Sequence, residues 1–220
     1  MSSRFHTRAL AFLLGVLAAL PAMAAEPFRI CAEPDAYPLS RQSDRSGFEI
    51  EVAQLLADEI GRPLDIVWIP QRDYAYFRQT LGTGACDAIM SVPAGFNRLT
   101  MTKPWYRTGF VFIAREGGVA PRDFNDERLR TLSIGVPVTG LGDGTPPAIA
   151  LARRALVPNL RPFSVYEPKA MVTAVAEGEV DTAVVWGPFA GWFAGEERVP
   201  LSLIRLPARD GPTPFAFDIA

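Results

Sequence analysis

The chain has 220 residues, 49% of them hydrophobic, with 22 Lys and Arg against 24 Asp and Glu and a single histidine. Neither the charge balance nor any basic tract suits nucleic-acid binding, which excludes that class of partner. A single histidine, His6, also leaves little room for imidazole chemistry.

Residues 1–24 read as a signal peptide. Arg4, His6 and Arg8 make a basic start, and residues 9–20 form an apolar run. That run has the length of a signal-peptide apolar region and falls short of the roughly 20 residues of a membrane span. Pro21 breaks it, Ala22-Met23-Ala24 supplies small residues for cleavage, and no cysteine follows to carry a lipid. The expected mature chain starts near Ala25 and works in an oxidising compartment, the periplasm. Cleavage removes His6, Arg4 and Arg8, leaving a net charge of −4 and no histidine. Ser-His-Asp and Cys-His catalysis, c-type haem attachment and His-ligated zinc are then excluded. No transmembrane segment is expected in the mature chain.

Strands and helices alternate from there, which argues for a parallel α/β sheet. A strand is expected over 28–32, followed by a loop with Pro34, Tyr37 and Pro38. Gly47 precedes a helix whose Ile50, Val52, Ala53, Leu56 and Ile60 recur near a 3.6 period, and Gly61 ends it. Residues 64–69 read as a second strand, 74–81 as a helix closed by Gly82 and Gly84, 88–92 as a third strand and 110–114 as a fourth. Gly117, Gly118 and Pro121 mark a connector. A second series follows: a strand at 132–136, a glycine-rich loop at 140–147 opening a helix to about residue 156, a strand at 164–166, a helix at 168–177 stopped by Gly178, and a strand at 180–186 running into a Gly-Pro turn. The order strand, helix, G-x-x-D, strand occurs in both halves and suggests two similar lobes. Residues 214–220 read as a buried strand with nothing after it, an arrangement expected of a chain truncated at its C-terminus.

Cys31 and Cys86 both fall at expected strands. In an exported protein such a pair is usually a disulfide, worth roughly 3–5 kcal/mol in the chain-entropy view. Two buried free thiols are the alternative.

Gly47-Phe48-Glu49 leading into a helix that ends Ile60-Gly61, then Trp68-Ile69-Pro70, then Gly84-x-Cys86-Asp87, resembles a type II periplasmic solute-binding protein of the amino-acid-binding superfamily. Residues 61–64, 68–72, 86–95, 102–107 and 184–191 are further similar to the binding-protein-like accessory proteins of quinoprotein methanol and alcohol dehydrogenase operons, the MoxJ/XoxJ type. The resemblance implies an α/β fold of two lobes joined by crossing strands, here 110–114 and 215–219, with ligand in the cleft and C-terminal helices missing. The implied layout is lobe 1 at 25–115, lobe 2 at 116–208 and a return strand at 209–220. It also implies a non-enzymatic role without cofactor or metal, and a partner that is the quinoprotein (PQQ) dehydrogenase or its cytochrome. The alternative is an ABC-transporter substrate-binding protein for a small organic ligand.

Ligand residues are expected at Tyr37, Gln71, Arg72, Ser91, Arg98, Tyr106, Thr145 and Trp186. Arg98 lies near the place of the family's carboxylate-binding arginine, but Pro93-Ala94-Gly95 replaces the small hydroxyl before it. Thr145, ahead of a helix start, could hold an anion. Trp186 stands where the acid for an ammonium would sit, so ordinary α-amino acids are not the expected ligands. The apolar segment 186–193 is expected to form an exposed patch suited to a protein partner or to belong to the second core. Glu33, Asp35 and Glu49 read as ordinary loop or helix-start carboxylates.

Overall fold

The computed structural model describes residues 25–71, 75–139 and 144–220. The expected signal peptide, Arg72, Tyr74 and the glycines of the 140–143 loop lie outside the described residues. Among the described residues no helix is long and apolar enough to cross a membrane.

Two sheets organise the chain. The first is parallel throughout, with β1 (Phe28–Ala32) between β2 (Leu64–Trp68) and β3 (Ala88–Ile89). Helix α1 (Phe48–Glu59) lays Ile50 and Ala53 on Ile30 and Ile66, the core that its 3.6 periodicity predicts. Gly47 starts that helix at φ 127°, where a Cβ would meet the Leu39 carbonyl oxygen at 2.2 Å. Only glycine allows the 33–46 loop to fold back so closely over the helix start.

Helix α2 spans only Tyr76–Gln79, and Leu81–Thr83 continue as a 3₁₀ turn, so the helix expected over 74–81 is cut short. The Thr80 hydroxyl donates to the Tyr76 carbonyl and the Thr83 hydroxyl to that of Gln79. Such back-bonding competes with helix continuation. Cys31 and Cys86 form a disulfide with Cα atoms 5.6 Å apart, tying β1 to the segment entering β3. Strand β3 is also shorter than 88–92, because Ser91 adopts a left-handed backbone with φ 59°. Beyond it, Val92 exchanges backbone hydrogen bonds with Ala220.

The second sheet is mixed rather than purely parallel, because the strands at Tyr106–Arg115, Leu201–Arg205 and Ala216–Ile219 run antiparallel to their neighbours within the expected α/β fold. Strand β4 (Tyr106–Arg115) runs through it; β5 (Ile134–Val138), β6 (Leu160–Ser164) and β7 (Thr182–Trp186) are mutually parallel, and β8 (Leu201–Arg205) lies antiparallel to β4. Helices α3 (Pro146–Ala152), α4 (Pro168–Glu177) and α5 (Gly187–Glu196) cover it. After a short hairpin of β9 (Arg209–Asp210) and β10 (Thr213–Pro214), β11 (Ala216–Ile219) pairs antiparallel with Tyr106–Gly109 of β4. The crossing section of β4 is therefore Tyr106–Gly109, while the expected crossing residues 110–114 sit within the second sheet against β7 and β8. Gly109 permits the crossing: a Cβ there would lie 2.4 Å from the Phe215 carbonyl oxygen.

The strand expected at 164–166 is displaced. The pairing strand is Leu160–Ser164, and the Ser164 hydroxyl accepts from the Tyr166 N–H as the chain turns out of it. Segment 187–196, expected to open with a Gly-Pro turn, is helix α5, with Pro188 in its first turn where a missing N–H costs nothing. The cores on the two faces of the second sheet are apolar and large. One gathers Phe112, Phe124, Leu129, Leu151 and Phe215; the other gathers Ile113, Met171, Val172, Val175 and Val185.

Candidate functional site

The three strands of the first sheet end at one edge, and the chain leaving each end builds one wall of a cleft. Glu33 to Arg41 follow β1, Gln71 follows β2, and Met90 and Ser91 follow β3. Ligand sites of parallel sheets lie at such carboxyl ends. The opposite wall comes from the turn after β6, from α4 and from α5, and the space between measures about 960 Å³.

Aromatic and ionic contacts frame the mouth. The Tyr37 ring meets Trp192 edge-on with centroids 4.8 Å apart, so the loop after β1 touches α5 across the cleft. The Arg41 guanidinium lies 4.0 Å above the Tyr37 ring and pairs with Asp44. That hydrogen-bonded pairing raises the Arg41 pKa and holds the Asp44 carboxyl well below the usual carboxylate range. On the far wall Lys169 bonds Glu196 at 2.9 Å, and the Trp192 indole N–H donates to the same carboxylate at 3.0 Å. Lys169 is the main cause of the lowered Glu196 pKa.

The floor of the first wall holds the least ordinary group. Glu49, in the first turn of α1, is 6% exposed, and its Oε1 has no hydrogen-bond partner among the described residues. Burial pushes its pKa up to about 7, and the Ser91 hydroxyl pulls it only partly back. Ser91 Oγ lies 3.1 Å from the Tyr106 hydroxyl, whose pKa burial also raises. The Tyr76 hydroxyl likewise makes no hydrogen bond of good geometry among the described residues; burial pushes it up to about 12, and the Gln71 side chain nearby pulls it only partly back. Glu33 and Glu49 both add to that rise electrostatically, so the tyrosine sits within reach of both carboxylates.

The sequence-predicted residues divide between the cleft and other places. Tyr37, Gln71 and Ser91 line it, and Tyr106 supports Ser91 from beneath. The Gln71 N–H is held by a Glu33 carboxylate oxygen. Arg72 lies outside the described residues. Arg98 is exposed on the loop after β3 and is not among the residues lining this cleft. Thr145 precedes α3, but its hydroxyl donates to the Pro137 carbonyl at 2.6 Å, so it is already engaged. Trp186 packs against Phe110 and Phe217 with centroids 5.0 and 5.7 Å away, on the crossing-strand side. Asp181 accepts from the backbone N–H and hydroxyl of Ser133 and serves the entry to β7.

Sequence reasoning missed Glu49, Trp192 and Lys169. Glu33, Asp35 and Glu49, read as ordinary carboxylates, all line the cleft, and for Glu49 the burial corrects that reading. The one local sign was Gly47, whose forced turn folds the preceding loop over the helix start.

Comparison with known proteins follows the same lines. No family model matches the chain. Protein MoxJ of Paracoccus denitrificans is 30% identical over 191 residues, covering 80% of this chain and 67% of that protein. The crystal structure of the periplasmic binding protein XoxJ from Methylobacterium extorquens AM1 superposes with a TM-score of 0.71 at 30% identity, over 88% of this chain and 82% of that one. The structure of MxaJ from Methlophaga aminisulfidivorans MPT gives a TM-score of 0.75 at 24% identity, covering 87% and 84% of the two chains. The architecture is that of the type II periplasmic binding proteins.

Proposed function

We propose a role for this chain from its kinship: it belongs to the MoxJ family. In this reading it is a non-enzymatic, periplasmic, solute-binding-protein-like accessory protein. It associates with a PQQ-dependent methanol or alcohol dehydrogenase, or with that enzyme's cytochrome, and aids maturation or activation. The observation that carries the proposal is the 30% identity to MoxJ over four-fifths of the chain. Two of the expected ligand positions are occupied otherwise than in an ordinary amino-acid receptor, and neither side chain lines the cleft. Trp186 fills the end of β7 with an aromatic ring, and the Thr145 hydroxyl is engaged by backbone.

The test is affinity capture of the mature protein from periplasmic extract of its host. Recovery of a quinoprotein dehydrogenase or its cytochrome supports the role; capture of neither, at bait concentrations well above micromolar, overturns it. The second reading is a transport receptor for a small organic ligand that is not an amino acid. The cleft of about 960 Å³ at the strand ends favours it, being large enough for a whole small molecule. A thermal shift with one metabolite class, without a protein partner, would decide for it.

A further inference from the structure

Among the described residues, seven carboxylates and two basic side chains line the cleft. Both basic groups are spoken for, Arg41 by Asp44 and Lys169 by Glu196. A ligand carboxylate entering here would meet neither described cation free, and would face Glu33, Asp35 and Glu167 besides. A cation meets the opposite situation.

A row of acids alone would mean little, since exposed carboxylates are well served by water. Glu49 is different. It is buried, lines the cleft, and leaves Oε1 without a partner. An unpaired buried carboxyl oxygen costs the desolvation of that group, and a charge-assisted N–H donor removes much of the cost. At the mouth, Tyr37 and Trp192 offer aromatic surface suited to a cation's carbon arm. No cluster of three or more acidic or cysteine ligands converges on a point among the described residues. The carboxylates are spread along the cleft, which suits an extended organic cation better than a metal ion.

We propose that the cleft binds an alkyl or aralkyl ammonium group carried by a molecule without a neighbouring carboxylate, its charge against Glu49 and its carbon arm against the Tyr37–Trp192 pair. Two sources present that chemistry, a free amine and a lysine side chain of a protein. The inference stands apart from the dehydrogenase association: capture of the enzyme can fail while amines bind, and the reverse.

The experiment is calorimetric titration of the full chain near neutral pH with benzylamine, spermidine and Nα-acetyl-lysine methylamide, with benzyl alcohol and glutamate as controls. At least one amine is expected to bind with Kd of about 1 mM or tighter, and neither control to bind comparably. Preference for the lysine derivative points to a protein-borne ammonium, and preference for benzylamine or spermidine to a free amine. Glu49→Gln is expected to weaken the preferred amine by about tenfold or more. Glu49→Asp, which keeps the charge but retracts it, is expected to weaken it less. Circular dichroism and melting of each variant separate lost binding from lost folding, and the wild-type titration stands whatever the variants do. Absence of amine binding, equal binding of benzyl alcohol, or full affinity in a folded Glu49→Gln protein overturns the proposal.

Discussion

The two sheets solve the problem of stability differently. The second is sealed on both faces by fully buried apolar side chains, and its buried polar group is satisfied: the Thr182 hydroxyl donates to the Ile113 carbonyl at 2.8 Å. The first has three strands, smaller cores and a disulfide, and it is there that Glu49 and Tyr76 keep buried polar atoms unpaired. The proposed amine site would then lie where the packing is least self-sufficient. Groups left unpaired in the free protein are those that a ligand could satisfy on binding.

Truncating the second core should have the largest effect. Phe112 is fully buried, with rings of Phe124 and Phe215 in the same cluster, and Phe112→Ala should cost roughly 3–5 kcal/mol. Urea unfolding monitored by circular dichroism measures it. A loss below about 1 kcal/mol would mean that the second core is not the main store of stability. In the first sheet the corresponding change is Cys86→Ser. The bridge closes a sequence separation of 55, for which the chain-entropy relation gives about 4 kcal/mol. Hydrogen exchange should show the loss concentrated in β1, β2 and β3 with β5 and β7 still protected. Uniform deprotection would show that the two sheets unfold as one unit and would erase the contrast.

Glu49 sharpens the comparison through pH. Its carboxyl titrates near 7 when folded, against about 4.5 when unfolded. Between those values the folded chain retains a proton that the unfolded chain has released. Stability therefore falls as pH rises from about 4.5 to about 7, then levels, with a total on the order of 3 kcal/mol. The Ser91 hydroxyl is the group that bears on this titration, and the Tyr106 and Tyr76 hydroxyls lie close enough to feel the Glu49 charge. Glu49→Gln should flatten that slope, melting above wild type at about pH 8 and level with it at about pH 4. An unchanged slope would place the titration elsewhere.

What the sequence made legible follows from what is local. The periodicity of α1 and the stop at Gly178 are carried by residues within the elements that they define, the pairing of Cys31 with Cys86 by there being two cysteines in an expected exported chain, and the structure has all three. The resemblance to binding proteins supplied the two-lobed plan. Long-range packing was not legible. Trp186 turns to Phe110 and Phe217 because β4 and β11 pair beside it, a pairing of strands far apart in the sequence. Trp192 looks like one more apolar residue in the 186–193 stretch until α5 forms and turns it to Tyr37. Glu49 sits in a first helical turn, where acids are common for their favourable place in the helix dipole. Its burial depends on a loop that Gly47 folds over it.

The smallest effect compares one hydroxyl in each sheet. Thr182→Val removes a buried donor whose acceptor, the Ile113 carbonyl, lies within the strand ladder, and should cost about 1 kcal/mol. Tyr76→Phe removes a buried hydroxyl that makes no hydrogen bond of good geometry among the described residues and has only the Gln71 side chain nearby, so the same deletion should be neutral or slightly stabilising. Because both residues are buried and both substitutions preserve shape, the difference between them isolates hydrogen-bond satisfaction from packing. Paired urea titrations give the two values directly. Should Tyr76→Phe prove the costlier, its hydroxyl has a partner in solution, the first wall is already satisfied without ligand, and the unpaired oxygen of Glu49 would have to be reconsidered with it.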